Sequence, residues 1–116
     1  MIERPKSDER TVLVHVDFPG QTDAEDLLEF SDLAASAGAR AVATVTASRK
    51  APDPRYHVGG GKAEEIREQV IEQRAGLVIF NHELSPSQER NLEKLLRARV
   101  LDRTGLILDI FAQRAR

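Results

Sequence analysis

The chain has 116 residues, with 17 lysines and arginines, 19 aspartates and glutamates, and no cysteine. A chain of this length forms one domain that can bury about two-thirds of its unfolded surface without a disulfide or a metal. The lack of cysteine excludes disulfide frameworks, thiol catalysis and cysteine-based zinc sites. A formal net charge of −2 excludes a uniformly basic nucleic-acid binder, but not a local basic patch.

Charge is distributed unevenly along the chain. Residues 1–46 carry four basic and nine acidic groups, and residues 63–83 carry two and five. Residues 47–62 carry four basic groups and one acidic group, and residues 84–116 carry seven and four, so each segment has a net charge of +3. These two basic segments are the first candidates for contact with an anion. Because no signal segment and no run of about 20 apolar residues is present, we expect a cytoplasmic protein without a membrane span.

Strands and helices are predicted to alternate along the chain. The first strand is a continuous β-branched and apolar run, which is typical of a strand covered on both faces. Thr22 and Glu25 form a predicted capping box for the first helix, and Ser85, Pro86 and Gln88 form another for the third. The predicted strands are Thr11–Val16, Arg40–Thr46, Leu77–Phe80 and Val100–Leu101, and Tyr56–Val58 could be a further short strand. The predicted helices follow Thr22, span Lys62–Arg74, follow Ser85 and follow a cap at Asp102 or Thr104.

This alternation predicts an α/β domain with a small, mainly parallel sheet of about four strands, built from βα repeats and flanked by helices. We divide the chain into a tail at residues 1–10, the α/β domain at residues 11–101 and a last helix at residues 102–116. The last helix is apolar around most of its circumference and has no stop signal. We expect it to continue into a helical linker and to mediate self-association of the fragment; the alternative is a terminal helix buried in its own domain.

The sharpest local feature is the run Gly59-Gly60-Gly61-Lys62, which is predicted to join a strand to a helix. Glycines permit left-handed or tightly curved backbone, so that consecutive N–H groups and the helix N-terminus can bind one anion. The run matches neither the Walker nor the dinucleotide fingerprint, and a purely structural glycine turn is an equal alternative. The candidate phosphate-binding residues, for a nucleotide or an RNA backbone, are Arg49, Lys50, Arg55, Gly59, Gly60, Gly61 and Lys62.

The three histidines lie far apart in the sequence. His15 falls within a predicted buried strand and is expected to be a hydrogen-bonded core residue. His57 and His82 fall near the carboxyl ends of strands, where α/β folds bind ligands. The spacing of the histidines is not that of a metal site, so none is expected. Asn81, His82 and Glu83 could perform acid–base chemistry, although a polar loop before the Ser85 cap is the favoured interpretation; no catalytic constellation is identified.

Three successive segments resemble the signature blocks of the HflX family of ribosome-associated GTPases, and the loop Ser48–Pro52 resembles the segment before the first block. The resemblance extends through nearly the whole chain from the first strand onward. Three long blocks in order are more specific than any single glycine motif. The blocks are YHVGGGKAEEI at Tyr56–Ile66, LSPSQERNLE at Leu84–Glu93 and DRTGLILDIFAQRAR at Asp102–Arg116.

The resemblance implies that the chain is the N-terminal domain alone. It implies a two-helix segment and a Ras-like GTPase domain elsewhere in the same protein. GTP and Mg²⁺ would bind in that GTPase domain, and no residue of this chain is assigned to bind either of them. Family members bind the large ribosomal subunit, and some split stalled ribosomes, so the resemblance implies contact with rRNA. An ATP-related activity is also associated with N-terminal regions of the family.

Two hypotheses about function therefore follow. The first is a non-catalytic, ribosome-contacting and regulatory domain that uses Arg49, Lys50, Arg55 and Lys62 to contact phosphates. The second is a nucleotide-binding module that uses the Gly59–Lys62 turn for ATP and is a weak hydrolase. A third interpretation is an intramolecular brake that docks on the GTPase domain through the acidic first helix, for which a solvated charged face is the simpler explanation.

Overall fold

The structure, a computed structural model, describes residues 9–20 and 24–114. Four strands and four helices alternate along these residues, as the sequence predicts. The predicted cap at Thr22 lies outside the described residues, as do residues 1–8 of the predicted tail. The elements are β1 (Glu9–Asp17), α1 (Ala24–Ser36), β2 (Ala39–Ser48), α2 (Gly60–Gln73), β3 (Leu77–Phe80), α3 (Pro86–Leu96), β4 (Arg99–Leu101) and α4 (Arg103–Arg114).

The four strands form one parallel sheet in the order β2-β1-β3-β4. This confirms the predicted α/β class. Because β1 connects to β2 on one side and lies beside β3 on the other, the strand order reverses between β1 and β3. Ligands of open α/β sheets bind at the carboxyl ends of the strands at such a reversal.

The sheet is covered on both faces, which explains why β1 is continuously apolar rather than alternating. On one face, Val12, Val14 and Val16 of β1 pack with α2 and α3. On the other face, Leu13 packs with residues of α1 and with Leu106 of α4. Each face of the sheet therefore has its own hydrophobic core.

The segment between β2 and α2 is an ordered loop rather than a strand. Asp53 and His57 exchange two backbone hydrogen bonds of 3.1 and 2.8 Å, which form an isolated antiparallel bridge. The predicted strand Tyr56–Val58 is therefore wrong, because the backbone closes on itself instead of joining the sheet. The Asp53 Oδ1 atom accepts hydrogen bonds from the amides of Arg55 and Tyr56 and fixes the turn.

The last helix is buried along only one side. Leu106 is fully buried against α1, whereas Ile107, Leu108 and Phe111 are 44, 61 and 73% exposed. The alternative of a helix buried in its own domain is therefore wrong for this face of α4, since nothing in the described residues covers these side chains. Among those residues, no helix combines the length and the apolar character needed to cross a membrane.

Candidate functional site

The carboxyl ends of β1 and β2 and the start of α2 enclose a polar cleft of about 400 Å³. We call it the α2 cleft. Arg49 follows β2 directly, and Gly59 and Lys62 belong to the beginning of α2, so the two walls come from opposite ends of the Arg49–Gly59 loop. The cleft is lined by Asp17, Thr46, Ala47, Ser48, Arg49, Gly59 and Lys62.

The N-terminus of α2 is left open on the side of the cleft. Helix α2 begins at Gly60, two residues before the predicted start, and Gly59 is its N-cap. Gly59 has no side chain to accept from the first-turn amides, and α2 has no acidic residue in its first turn. These amides are therefore left to water or an anion, and the helix dipole adds positive potential at the same place.

The backbone conformation of the three glycines is ordinary. Gly59 has φ of −69° and ψ of 163°, which is ordinary extended backbone, and Gly60 and Gly61 are helical. Of the left-handed and tightly curved conformations that the sequence allows, the left-handed one is not adopted by these glycines, and the residue with positive φ in this segment is His57, at 71°. The glycines matter instead because they carry no side chains.

The Arg49 side chain occupies the space beside Gly59 that a side chain there would take. A Cβ atom at Gly59 would lie 2.8 Å from the Arg49 Nη1 atom. The guanidinium group therefore lies directly against the N-cap of α2. It is held there because Arg49 Nε donates to the Ala51 carbonyl at 3.0 Å and the Arg49 amide donates to the Asp17 carbonyl at 3.0 Å. A cation fixed against the positive end of a helix concentrates positive potential, which an anion would relieve.

Two neighbours moderate this potential. The Lys62 Nζ atom forms an ion pair of 3.0 Å with Glu65 on the next part of α2. Asp17 brings a carboxylate to the cleft, but its Oδ1 atom accepts a hydrogen bond from His15 Nε2 at 3.0 Å. Within the described part of the chain, the cleft therefore has an Arg49 guanidinium without an ion-pair partner, the Lys62 ammonium shared with Glu65 and an open helix N-terminus, set against the Asp17 carboxylate that is engaged with His15.

The remaining predicted basic residues lie elsewhere. Lys50 lines the adjoining clefts formed with Phe18 and Pro19. Arg55 lies over the ring of Tyr56, with 5.0 Å between the guanidinium carbon and the ring centroid. The structure thus brings Arg49, Gly59 and Lys62 together in the α2 cleft, leaves Gly60 and Gly61 in the first helical turn, and places Lys50 and Arg55 outside the cleft.

A histidine cluster lies at the strand-order reversal, and the sequence patterns do not predict it. The ring centroid of His82 lies 5.5 Å from that of His15 and 4.9 Å from that of His57. Phe18 contacts His57 and His82 edge-on. The one signal in the sequence is that His57 and His82 each come near the carboxyl end of a predicted strand.

A chain of hydrogen bonds connects α4 to the edge of the α2 cleft. The guanidinium of Arg103, which only donates, bonds to Asn81 Oδ1 and so turns the Asn81 amide nitrogen toward His15. Asn81 Nδ2 donates to His15 Nδ1 at 3.0 Å, and His15 Nε2 donates to Asp17. His15 is thus a hydrogen-bonded core residue, as predicted. Because His15 and Asn81 are 6 and 7% exposed, this chain is a fully paired polar network within the fold.

His82 is held in its neutral form. Its Nε2 atom accepts a hydrogen bond from the Val16 amide at 2.8 Å, so the proton is on Nδ1. Burial, and then the neighbouring His57, His15 and Arg103, lower the pKa of His82 to about 4 against the opposing effect of Asp17. Burial and Arg49 likewise lower the pKa of His57. The neutral His82 ring therefore stabilises the carboxyl edge of the sheet by accepting a backbone hydrogen bond and stacking on its neighbours, whereas the buried Nε2 atom of His57 has no hydrogen-bond partner among the described residues.

Within residues 9–20 and 24–114, no group of three or more histidine, aspartate or glutamate side chains is placed to hold a metal ion. Asn81 and His82 are engaged in the network, Ser85 caps α3 and Asp102 caps α4 by accepting from the Gly105 amide at 2.7 Å. The geometry suits the binding of an anion.

Fold and site together define a parallel α/β domain with a basic cleft beside an open helix N-terminus. The profile of the family described as GTP-binding GTPase N-terminal matches residues 24–112. The chain belongs to this family, as an N-terminal domain of HflX-type GTPases.

Relatives support the same assignment. The chain is 58% identical over 116 residues to a GTPase HflX of Escherichia coli K12, in an alignment that covers 100% of this chain and 27% of that protein. It is 46% identical over 87 residues to a GTPase HflX of Thermococcus kodakarensis, with coverage of 75% and 20%. The chain therefore spans about a quarter of the length of these relatives.

Solved structures show the same fold. A crystal structure of the SsGBP variant G235S superimposes with a TM-score of 0.71 at 23% identity, over 88% of this chain and 32% of the other. A GTP-binding protein from Sulfolobus solfataricus in complex with GDP superimposes with a TM-score of 0.67 at 20% identity, over 89% and 30%. At these identities the similarity concerns the fold alone.

Proposed function

We propose that this chain is the ribosome-contacting and regulatory domain of an HflX-type GTPase, working in the cytoplasm and in cis with a GTPase domain. Family membership supports the connection to a GTPase, because the relatives are about four times as long as this chain and are named GTPase HflX. Binding to the large ribosomal subunit is the part that this chain would perform.

The observation that carries the contact with RNA is the convergence at the α2 cleft. Arg49 is fixed against an N-cap without a side chain, Lys62 lies on the same side, and the first-turn amides of α2 have no cap. Backbone amides at a helix N-terminus and basic side chains are the usual partners of phosphate oxygens in nucleic-acid complexes. Phosphate contact of this kind positions RNA without reading its sequence.

The test is binding of the chain to isolated large ribosomal subunits at several salt concentrations. Replacing Arg49, Lys50, Arg55 and Lys62 by alanine should weaken binding and lower the slope of log affinity against log salt, by roughly 0.7–0.9 for each phosphate that is no longer neutralised. Arg67→Ala is the matched control, because Arg67 is exposed on α2 but pairs with Glu64 away from the cleft. Unchanged affinity and slope in the fourfold variant would contradict the proposal.

GTP hydrolysis does not belong to the residues of this chain. The Gly59–Lys62 segment departs from the Walker form, with Tyr56 at the place of its first glycine and Ala63 at the place of its hydroxyl residue. Lys62 is also engaged with Glu65. GTP and Mg²⁺ would therefore bind in the GTPase domain, and no step of their chemistry is assigned here.

The clefts at the carboxyl ends of β1 and β2 also favour a second candidate function. The α2 cleft adjoins a cleft of about 390 Å³ that Phe18, Pro19 and Lys50 help to line, so a phosphate and an attached base could occupy neighbouring spaces. This supports the nucleotide-binding alternative, with ATP as the ligand. Calorimetry of the chain with ATP and with GTP tests it: heat and a raised melting temperature support the alternative, and their absence at millimolar nucleotide contradicts it.

A further inference from the structure

Helix α3 and its C-cap carry three exposed basic side chains. Arg90 and Lys94 lie four residues apart and Arg97 is the C-cap, so the three form a basic strip along one stripe of the helix surface. Glu93 lies three residues after Arg90 and four before Arg97, so an acidic stripe of Glu89 and Glu93 runs directly beside the basic strip.

The acidic stripe has a structural explanation. Glu93 accepts a hydrogen bond from the Val100 amide at 3.2 Å and so holds the start of β4. Burial, and then Asp102 and Glu93, raise the pKa of Glu89, which shows that these carboxylates gather toward β4 and α4.

The basic strip has no comparable role in holding the fold together. Arg90, Lys94 and Arg97 are exposed, and none forms an ion pair with another residue in the described part of the chain. Seven residues separate Arg90 from Arg97, which places the strip along about 10 Å of helix. Three exposed cations in a row suit a polyanion better than a small ligand.

The strip is joined to the loop before α2 by direct hydrogen bonds. Asn91 Nδ2 donates to the Arg55 carbonyl at 3.1 Å, and Gln88 Nε2 donates to the Asp53 carbonyl at 2.8 Å. Arg55 in turn lies over the Tyr56 ring, which packs against the core. Arg55, although outside the α2 cleft, is therefore held next to α3.

We propose that the RNA-binding surface extends from Arg55 onto the basic strip of α3, where Arg90, Lys94 and Arg97 contact successive phosphates of an RNA backbone and Asn91 positions Arg55 beside them. This rests on the proposed function and adds a second contact surface to the α2 cleft. Asn91 is a positioning residue, since its side chain acts on the carbonyl of Arg55 and not on the RNA.

The test compares two triple variants of the chain with equal charge. Arg90→Gln, Lys94→Gln and Arg97→Gln together should weaken binding to large ribosomal subunits about tenfold near 0.1 M salt and lower the salt slope by about 2. Arg40→Gln, Arg67→Gln and Arg74→Gln together are the control and should have a small effect. The control is well matched because Arg74 and Arg97 are both left-handed C-cap residues, with φ of 53°.

Asn91→Leu tests the positioning role. It should reduce affinity in the wild-type chain and have no further effect in an Arg55→Gln background, with the melting temperature nearly unchanged. Equal effects in both backgrounds would contradict that role.

The outcomes separate the two proposals. If both triple variants bind alike while Arg49→Ala and Lys62→Ala weaken binding, the α3 surface is wrong and the cleft stands. If none of these variants weakens binding, both proposals are wrong. Binding of the wild-type chain to phosphatidylserine vesicles but not to the subunits would also overturn the RNA surface.

Discussion

Helices α2 and α3 lie side by side on the same face of the sheet but begin in opposite ways. At α3, Ser85 and Gln88 form a complete capping box, Pro86 occupies the first turn and Glu89 adds a favourable charge. At α2, Gly59 offers no side chain, and the Arg49 guanidinium lies directly against it.

We interpret the start of α3 as a contribution to stability and the start of α2 as a contribution to binding. The first-turn amides of α3 are satisfied within the protein, so its N-terminus contributes to folding alone. The α2 N-terminus has a glycine N-cap, which costs only about a few tenths of a kcal/mol relative to a side-chain cap, and it leaves the first-turn amides open beside the cations Arg49 and Lys62. Departures from the stabilising pattern are expected at functional sites. The uncapped start of α2 is therefore a place where a bound ligand would satisfy the first-turn amides.

The largest expected effect on stability comes from the capped N-terminus of α3. Gln88→Ala removes the acceptor for the Ser85 amide and the donor to the Asp53 carbonyl, and should lower the free energy of unfolding by about 2 kcal/mol. Urea denaturation measures this, with Lys94→Ala, at an exposed position on the same helix, as the control. A change below about 0.5 kcal/mol would show that the capping box is unimportant.

The histidine cluster predicts how stability depends on pH. Since the folded pKa of His82 is about 4 and the unfolded value is about 6.5, unfolding takes up a proton between these values. Stability is therefore full above pH 6.5 and falls as the pH decreases toward 4, by at most about 1.4 kcal/mol per pH unit for each proton. His82→Gln should flatten this dependence in urea denaturation at pH 4.5–6.5, and an unchanged slope would contradict the assignment.

A smaller effect on stability is expected at the uncapped N-terminus of α2. A Cβ atom at Gly60 meets nothing within 4 Å, and the residue is helical, so Gly60→Ala should raise the free energy of unfolding by about 0.5–1 kcal/mol. Gly59→Ala should lower it, because glycine is favoured over alanine at an N-cap and because the added methyl displaces the Arg49 guanidinium. Thermal denaturation measures both variants in the wild-type chain and in an Arg49→Ala background, and a cost of Gly59→Ala that is equal in the two backgrounds would mean that Arg49 is not held against Gly59.

Much of this fold could be predicted from local patterns. The Ser85 capping box, the burial of β1 and the parallel order of elements follow from side-chain chemistry within a few residues, and all are confirmed. The predicted strand at Tyr56–Val58 is wrong because the bridge between Asp53 and His57 closes the loop on itself.

The site was less predictable because it depends on distant residues. The sequence indicates an anion site at Gly59–Lys62 through left-handed or tightly curved glycines and a helix N-terminus, but it does not show that the Arg49 guanidinium lies against Gly59. The histidine cluster unites positions 15, 57 and 82, which only the strand order brings together.

Closing the α2 N-terminus tests the central claim most directly. Gly59→Asp supplies the cap that α3 already has and sets a carboxylate against Arg49 and Lys62, so the chain should still fold but should no longer bind phosphate at the α2 cleft. Ser31→Asp adds the same charge at an exposed position on α1, across the sheet. We predict that Gly59→Asp weakens binding to large ribosomal subunits at least tenfold and that Ser31→Asp changes it little; equal affinity in the two variants would contradict the account.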